Sequence, residues 1–155
     1  MQASHQADRD ARRCALQCLY QFDAGISERP DTMWHSLVGD EASPGGDARE
    51  RGYDLACLAW EFRSEADAAI APLTPEWPSH RQPMVDRNVL RLAFYEVVHA
   101  DLPPKVSINE SIELAREFGG EKSPAFVNGV LDRLFRDKLA AEPDRSADLP
   151  ASPNA

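Results

Sequence analysis

Apolar side chains recur at helical spacing along almost the whole chain, and this periodicity constrains the fold more than any other feature. A long example is the stripe formed by Leu55, Leu58, Phe62, Ala66 and Ile70. No segment shows the strict alternation of apolar and polar residues that a half-buried strand requires. The sequence therefore predicts an all-α fold.

Proline and glycine divide this pattern into five substantial helices and some short ones. The expected ranges are a flexible N-terminus over 1–7, helices over about 8–23, 32–38, 47–71, 85–100, 107–118 and 123–135, and a disordered tail with several prolines over 140–155. The helix over 85–100 is apolar around most of its circumference, which predicts the buried centre of a bundle. Trp77, in the proline-rich stretch before that helix, is expected to dock on the core.

Local signals predict how the last two long helices begin and end. Ser107 and Glu110 have the spacing of a capping box, and Gly119 is expected to end the helix in a left-handed turn. Ser123 is expected to act as the N-cap of the last helix. Gly129 lies inside that helix, where close approach of a neighbouring helix would explain a glycine.

Composition limits the classes of function. The chain has 155 residues, enough for one domain with its own core. Its net charge of −9 is unlike that of a free-standing nucleic-acid binder, so RNA binding would need a local basic site and help from a partner. Three cysteines without a secretory signal predict reduced thiols and a cytoplasmic protein. No apolar run is long enough to span a membrane.

The first helix carries a candidate basic site. Arg9, Arg12 and Arg13 lie in its first turns, with Tyr20 further along the side that carries Arg9 and Arg13. Guanidinium groups bind phosphates, and an aromatic ring can stack on an unpaired base. If only the charges are considered, the alternative to a binding site is an ordinary helix face in contact with solvent.

Catalytic or metal-binding patterns are weak. Cys14 and Cys18 are four residues apart, but no histidine or second cysteine pair completes a ligand set, and Cys18 falls on the apolar face. The four histidines are scattered along the chain. No catalytic triad or glycine-rich phosphate loop is recognisable. We therefore expect neither enzymatic activity, nor a cofactor, nor a bound metal.

Three runs together resemble a known family. They are ARRCALQCLYQFD at 11–23, VDRNVLRLAFYEV at 85–97 and KVSINESIELAREFGGEKSPAFVNGVLDRL at 105–134. In order and spacing they resemble the NusB family over most of the chain, although the resemblance is weak over 26–48 and absent after Leu139. It implies two small helical bundles packed into one domain of about seven helices. It also implies binding to boxA-type RNA together with NusE, a small-subunit ribosomal protein, within an RNA polymerase elongation complex that contains other Nus factors.

The resemblance also implies two sets of site residues. The RNA-binding set is Arg9, Arg12, Arg13, Gln17, Lys122, Ser123, Phe126, Asn128 and Arg133, and the NusE-binding set is Tyr20, Asp86 and Arg87. For some of these residues, the alternative to a binding role is an ordinary structural role. Ser123 could be only a cap, Phe126 only a core residue, and Asp86 only a favourable acid at a helix N-terminus. Tyr20 could serve either surface, and we favour the protein interface.

The chain departs from the family pattern at the basic site. Asp8 and Asp10 flank Arg9, where the family often has an unbroken arginine cluster, and Pro124 and Ala125 replace larger polar residues. We therefore expect weak RNA binding by the protein alone. The RNA assignment depends on the three arginines offering an open cationic surface rather than being held in internal carboxylate pairs.

Two other functions remain open. A protein-only scaffold or homodimer that has lost RNA binding is favoured by the acidic composition. RNA cytosine methyltransferases carry a NusB-like N-terminal domain, but this chain ends soon after the helical region, so we expect no methyl-transfer chemistry.

Overall fold

The fold is all-α throughout the part of the chain that the computed structural model describes, residues 2–25 and 46–141. Seven α-helices lie in these ranges: α1 (Gln2–Asp23), α2 (Gly46–Glu61), α3 (Arg63–Ile70), α4 (Met84–Val98), α5 (Pro104–Phe118), α6 (Ser123–Leu134) and α7 (Arg136–Ala141). Short 3₁₀ turns at Ala71–Leu73 and Ser79–Arg81 connect α3 to α4. The predicted all-α class and helix number are confirmed. No helix in these ranges is both long enough and apolar enough to cross a membrane.

Helix α4 is the centre of the domain, as its sequence predicts. Every residue from 88 to 97 is buried. The helix contacts α1, α2, α3, α5 and α6, so it links the other long helices of the domain.

Helix α1 packs most extensively against α2. The predicted apolar face of α1 is confirmed, because Ala11, Ala15, Cys18 and Leu19 are buried. Burial raises the pKa of the Cys14 thiol to about 11 and that of Cys18 to about 12. Both cysteines are therefore neutral core residues near neutral pH.

Two predicted helix boundaries are wrong. Helix α1 begins at Gln2 instead of near Asp8, because no breaker interrupts residues 2–7 and Gln6 donates a hydrogen bond to Asp10 one turn later. The single helix expected over 47–71 is interrupted at Phe62, whose backbone angles of −92° and 11° leave the helical region. There the Phe62 ring stacks on His99, with ring centroids 3.9 Å apart.

The predicted caps of α5 and α6 also differ from the structure. Helix α5 begins at Pro104, so Ser107 lies inside the helix and is buried rather than capping it. Gly119 is extended, with φ −93° and ψ −173°, and not left-handed. A Cβ at Gly119 would lie 2.6 Å from the Ser123 side chain, so close packing explains this glycine. At Gly129, by contrast, a Cβ would have no neighbour from another described helix within 4 Å, so close helix approach does not explain that glycine.

Two predictions fall outside the described residues. They are the short helix over 32–38 and the disordered tail beyond Ala141. The first two residues of the predicted tail, Ala140 and Ala141, belong to α7.

Candidate nucleic-acid interface

A surface groove of about 260 Å³ runs between α1 and α5 and contains the three N-terminal arginines. We call it the arginine groove. Its lining residues are Gln6, Arg9, Arg12 and Arg13 from α1, and Glu110, Glu113, Leu114, Arg116 and Glu117 from α5. The first helix thus brings its guanidinium groups to one place, as the sequence predicts. The opposite wall supplies carboxylates that the sequence analysis did not anticipate.

The two outer arginines form exposed ion pairs with α5. The Arg9 Nε lies 3.4 Å from the Glu110 carboxylate. The Arg13 Nε donates to both carboxylate oxygens of Glu117, at 3.0 and 3.1 Å, and Asp10 lies 3.5 Å from the same guanidinium. The Arg9 and Arg13 side chains are 55% and 44% exposed, so solvent screens both pairs.

The middle arginine is held inside the protein. The Arg12 Nε and a terminal nitrogen each lie 3.0 Å from one Glu96 oxygen, and the two side chains are only 12% and 10% exposed. Burial raises the pKa of Glu96, and Arg12 opposes that rise with its charge and hydrogen bonds. The expectation that Arg12 lies on an open cationic surface is therefore wrong, since its guanidinium neutralises a buried carboxylate of α4.

These contacts change the physical basis of the predicted RNA site. All three arginines have carboxylate partners, so the open cationic surface expected from the sequence is absent from this face of the described helices. Arg9 and Arg13 keep part of their surface accessible in the groove, whereas Arg12 does not. Gln17, two turns beyond Arg9 on α1, is partly buried.

Sequence reasoning missed the acidic partners because they are distant along the chain. Glu96 is 84 residues from Arg12, and Glu117 is 104 residues from Arg13. The one available signal is the spacing of Glu110 and Glu117, which are seven residues apart and share one face of a helix. The capping box predicted for Glu110 is not formed, and this glutamate pairs with Arg9 instead.

The predicted surface at the start of α6 is only partly accessible. Lys122 is exposed, but Ser123 is buried, its Oγ accepts the Gly120 N–H at 3.0 Å, and it does not cap the helix through its side chain. Arg133 is exposed and donates to the backbone oxygen of Gly129. Asn128 is partly buried. Ser123 is therefore a packing residue, and Lys122 is the accessible polar group at this helix start.

An aromatic pair lies beside this helix start, formed by the exposed Trp77 and by Phe126, which is partly buried against the core. Phe126 and Trp77 meet edge to face, with ring centroids 5.0 Å apart. Trp77 is 39% exposed, and its indole N–H donates to the Arg81 carbonyl. Trp77 thus packs on Phe126 at the surface instead of docking into the core, which corrects its predicted placement.

The three residues predicted to bind a protein partner do not share one exposed surface. Tyr20 is 45% exposed. Asp86 is 2% exposed, and Arg87 pairs with Asp23 in a largely buried contact. Burial raises the pKa of Asp86, and a hydrogen bond with Ser123 only partly opposes that rise. Asp86 is therefore buried between α4 and α6, and its predicted place at an interface stays a prediction.

Asp23 anchors a polar network at the end of α1. Asn88 donates to it at 2.9 Å, and both Arg87 and Arg91 pair with it. Burial raises the pKa of Asp23, but these hydrogen bonds and charges outweigh that effect and leave the pKa below its ordinary value. Arg91 also pairs with Asp67 of α3 at 2.8 Å, so the network joins α1, α3 and α4.

A metal site has no support within residues 2–25 and 46–141. No three His, Cys, Asp or Glu side chains in these ranges are grouped so that they could hold an ion.

Comparison with known proteins agrees with the fold. The NusB family model matches residues 9–136. The transcription antitermination protein NusB of Geobacter sulfurreducens is 42% identical over 130 residues, which cover 83% of this chain and 93% of that protein. NusB of an Anaeromyxobacter species is 43% identical over 127 residues, which cover 80% and 86% of the two chains.

Solved structures give the same result. T. maritima NusB superposes with a TM-score of 0.69 at 30% identity, covering 91% of this chain and 96% of that one. A chain from a complex of antitermination factors NusB and NusE with double-stranded RNA superposes with a TM-score of 0.68 at 26% identity, covering 85% and 98%. The residues that the family model matches include the three arginines of the groove, the buried α4 and the start of α6, and this chain belongs to the NusB family.

Proposed function

We propose that this protein is an RNA-binding transcription antitermination factor without catalytic activity. It recognises boxA-type RNA together with NusE, joins the elongating RNA polymerase complex with other Nus factors, and acts on ribosomal RNA transcription in the cytoplasm. The observation that carries the proposal is the arginine groove, where Arg9 and Arg13 remain accessible in a domain of this family. Relatives named as antitermination proteins and the fold shared with the NusB–NusE–RNA complex support it.

The charges around the groove predict how binding depends on the partner. The chain has a net charge of −9, and both accessible arginines are already paired with carboxylates. The protein alone therefore offers few free cations to a phosphate backbone. A partner bound alongside would add contacts that the groove lacks, so the complex should be the form that binds RNA.

We expect boxA-type RNA to bind weakly to the protein alone and at least about tenfold more tightly to its complex with NusE. The salt dependence should be shallow for the protein alone, because few of its cations can contact phosphate and each contact to a single strand contributes a slope of about −0.7. Fluorescence anisotropy with labelled RNA at several salt concentrations measures both quantities. A scrambled RNA is the control, and tight binding without NusE would contradict the expectation.

Partner binding should depend on Tyr20 and not on Asp86. Tyr20→Asp places a charge on an exposed ring position, so co-purification with NusE should be lost while the helical circular dichroism is kept. Asp86→Asn is the matched control, because Asp86 is buried and cannot reach a partner. It should leave co-purification unchanged. Loss of binding in the Asp86 variant, with normal helicity, would restore Asp86 to the interface.

A second candidate function follows from the pairing of all three arginines. A protein-only scaffold or homodimer with this fold would need no accessible cations. An electrophoretic shift assay with boxA-type RNA and NusE separates the two functions, since only the antitermination factor forms a ternary complex. Light scattering of the protein alone shows whether a homodimer covers either surface.

A further inference from the structure

Helix α5 presents three glutamates to the arginine groove, but they do not have the same partners. Glu110, Glu113 and Glu117 are spaced three and four residues apart and so lie along one side of the helix. Glu110 and Glu117 pair with arginines of α1, whereas Glu113 pairs with Arg116 of its own helix. Only Glu110 and Glu117 therefore occupy guanidinium groups of α1, whereas Glu113 occupies Arg116 on the α5 side of the groove.

The Arg13–Glu117 pair has the geometry that an arginine adopts on a phosphate. The guanidinium contacts both carboxylate oxygens, through Nε and through a terminal nitrogen. Two-point contacts of this kind are how arginine recognises carboxylates and phosphates alike. The hydrogen bond to Glu117 is also the main reason that the pKa of Arg13 is raised. The carboxylate of Glu117 thus stands where a phosphate of bound RNA would be held.

The pair can open without disturbing the fold. Its side chains are 44% and 40% exposed, and exposed pairs contribute little to stability. The Arg12–Glu96 pair differs, because its members are almost completely buried and separating them would leave a charge without a partner. Exchange of a carboxylate for a phosphate is therefore confined to the outer part of the groove.

We infer that Glu117 is an internal competitor for RNA: it holds Arg13 in the RNA-free protein and must be displaced by a phosphate before the groove binds. This inference rests on the proposed function and specifies how the same site is regulated. Glu117 lowers affinity in two ways, by occupying Arg13 and by adding negative charge near the RNA. The first effect is specific to Glu117, whereas the second is shared with every acid in the groove.

Glu117→Gln and Glu113→Gln form a matched pair of variants. Both remove one negative charge from the same helix wall, one turn apart, and both release one arginine of the groove, but only Glu117→Gln releases an arginine of α1. In the presence of NusE, Glu117→Gln should bind boxA-type RNA about threefold to tenfold more tightly than the parent protein. Glu113→Gln should change the affinity less than about twofold. Thermal unfolding by circular dichroism confirms that both variants are folded.

Two results of the RNA titration would overturn the inference: no gain for Glu117→Gln, or an equal gain for both variants, which would show a general effect of charge. If neither the parent nor the variants bind RNA, the proposed function fails and a second measurement decides the inference. Inorganic phosphate is titrated into each protein while the Arg13 Nε–H signal is followed by NMR. The signal should respond at lower phosphate concentration in Glu117→Gln than in the other two proteins, and identical responses would refute the competition.

Discussion

Replacing Arg12 by methionine is expected to lower the free energy of unfolding by about 3–5 kcal/mol. The substitution leaves the Glu96 carboxylate buried beside α1 without its partner, and removing one member of a buried pair has this cost. Guanidinium chloride unfolding followed by circular dichroism measures the change. A double variant, Arg12→Met with Glu96→Leu, should regain most of the loss, because it buries apolar side chains where a charged pair stood.

Arg13→Met is the control for this prediction. Arg13 is the next residue in the same helix and also pairs with a glutamate, but in an exposed contact. Its loss should cost less than about 1 kcal/mol. Equal losses for the two variants would show that Arg12 is not a structural arginine, and its assignment to RNA binding would regain its basis.

The loss in Arg12→Met should also depend on pH. Burial already raises the pKa of Glu96, and removing Arg12 removes the effects that oppose this rise. A carboxyl group whose pKa is higher in the folded state stabilises the fold below its unfolded value and loses that contribution as pH rises through the folded value. The difference in stability between the variant and the parent should therefore be larger at about pH 7 than at about pH 4. A difference that does not change with pH would contradict this explanation.

Two glycines inside helices should respond to alanine in opposite directions. Gly52→Ala should destabilise the protein by about 2–3 kcal/mol, because the new Cβ would lie 2.5 Å from the Cys14 Cβ and 2.6 Å from the Ala11 carbonyl oxygen. The contact involves backbone, so α1 and α2 must move apart. This cost exceeds the gain in helix propensity of about 1 kcal/mol.

Gly129→Ala is the matched control and should stabilise the protein by about 0.5–1 kcal/mol. No neighbour from another described helix lies within 4 Å of its Cβ position, so only the helix propensity changes. Equilibrium unfolding of both variants under the same conditions shows whether each substitution raises or lowers the free energy of unfolding. A stabilising Gly52→Ala would show that α1 and α2 are not in close contact, and a destabilising Gly129→Ala would show that α6 is packed at that residue.

Helical periodicity was the most informative signal in this chain, because it reports which side of a helix avoids water. It correctly identified the buried face of α1 and the burial of α4 on nearly every side. It was less informative at helix ends. At the break, the Phe62 ring stacks on His99, which lies at the end of another helix, and no local pattern encodes that contact.

The sequence predicted which arginines line the site, but it could not predict whether each guanidinium is accessible. The arginines were found on α1 from their spacing, and they do meet in one groove. Whether each guanidinium is accessible depends on which carboxylate another helix brings within 3–4 Å. Glu96, Glu110 and Glu117 belong to α4 and α5, so their contacts with α1 exist only after the helices pack.

The exposure of Asp86 also could not be predicted from the sequence. Its position near the start of a helix is compatible with an interface and with a helix-end acid, and the sequence leaves both open. The structure buries it against Ser123, where it joins two helices. Its burial therefore depends on the packing of α6 against α4 and not on its position in its own helix.

The sequence by itself determined the all-α class, the family and the buried face of α1, because these depend on the order of residues within each segment. It was wrong for Leu58, which belongs to the predicted apolar stripe of the second long helix but is 41% exposed. The tertiary structure alone decided which charges are neutralised, since Arg12 and Arg13 take their partners from segments far along the chain. The physical reason is that an ion pair needs two groups within a few ångströms, and helix packing sets that distance.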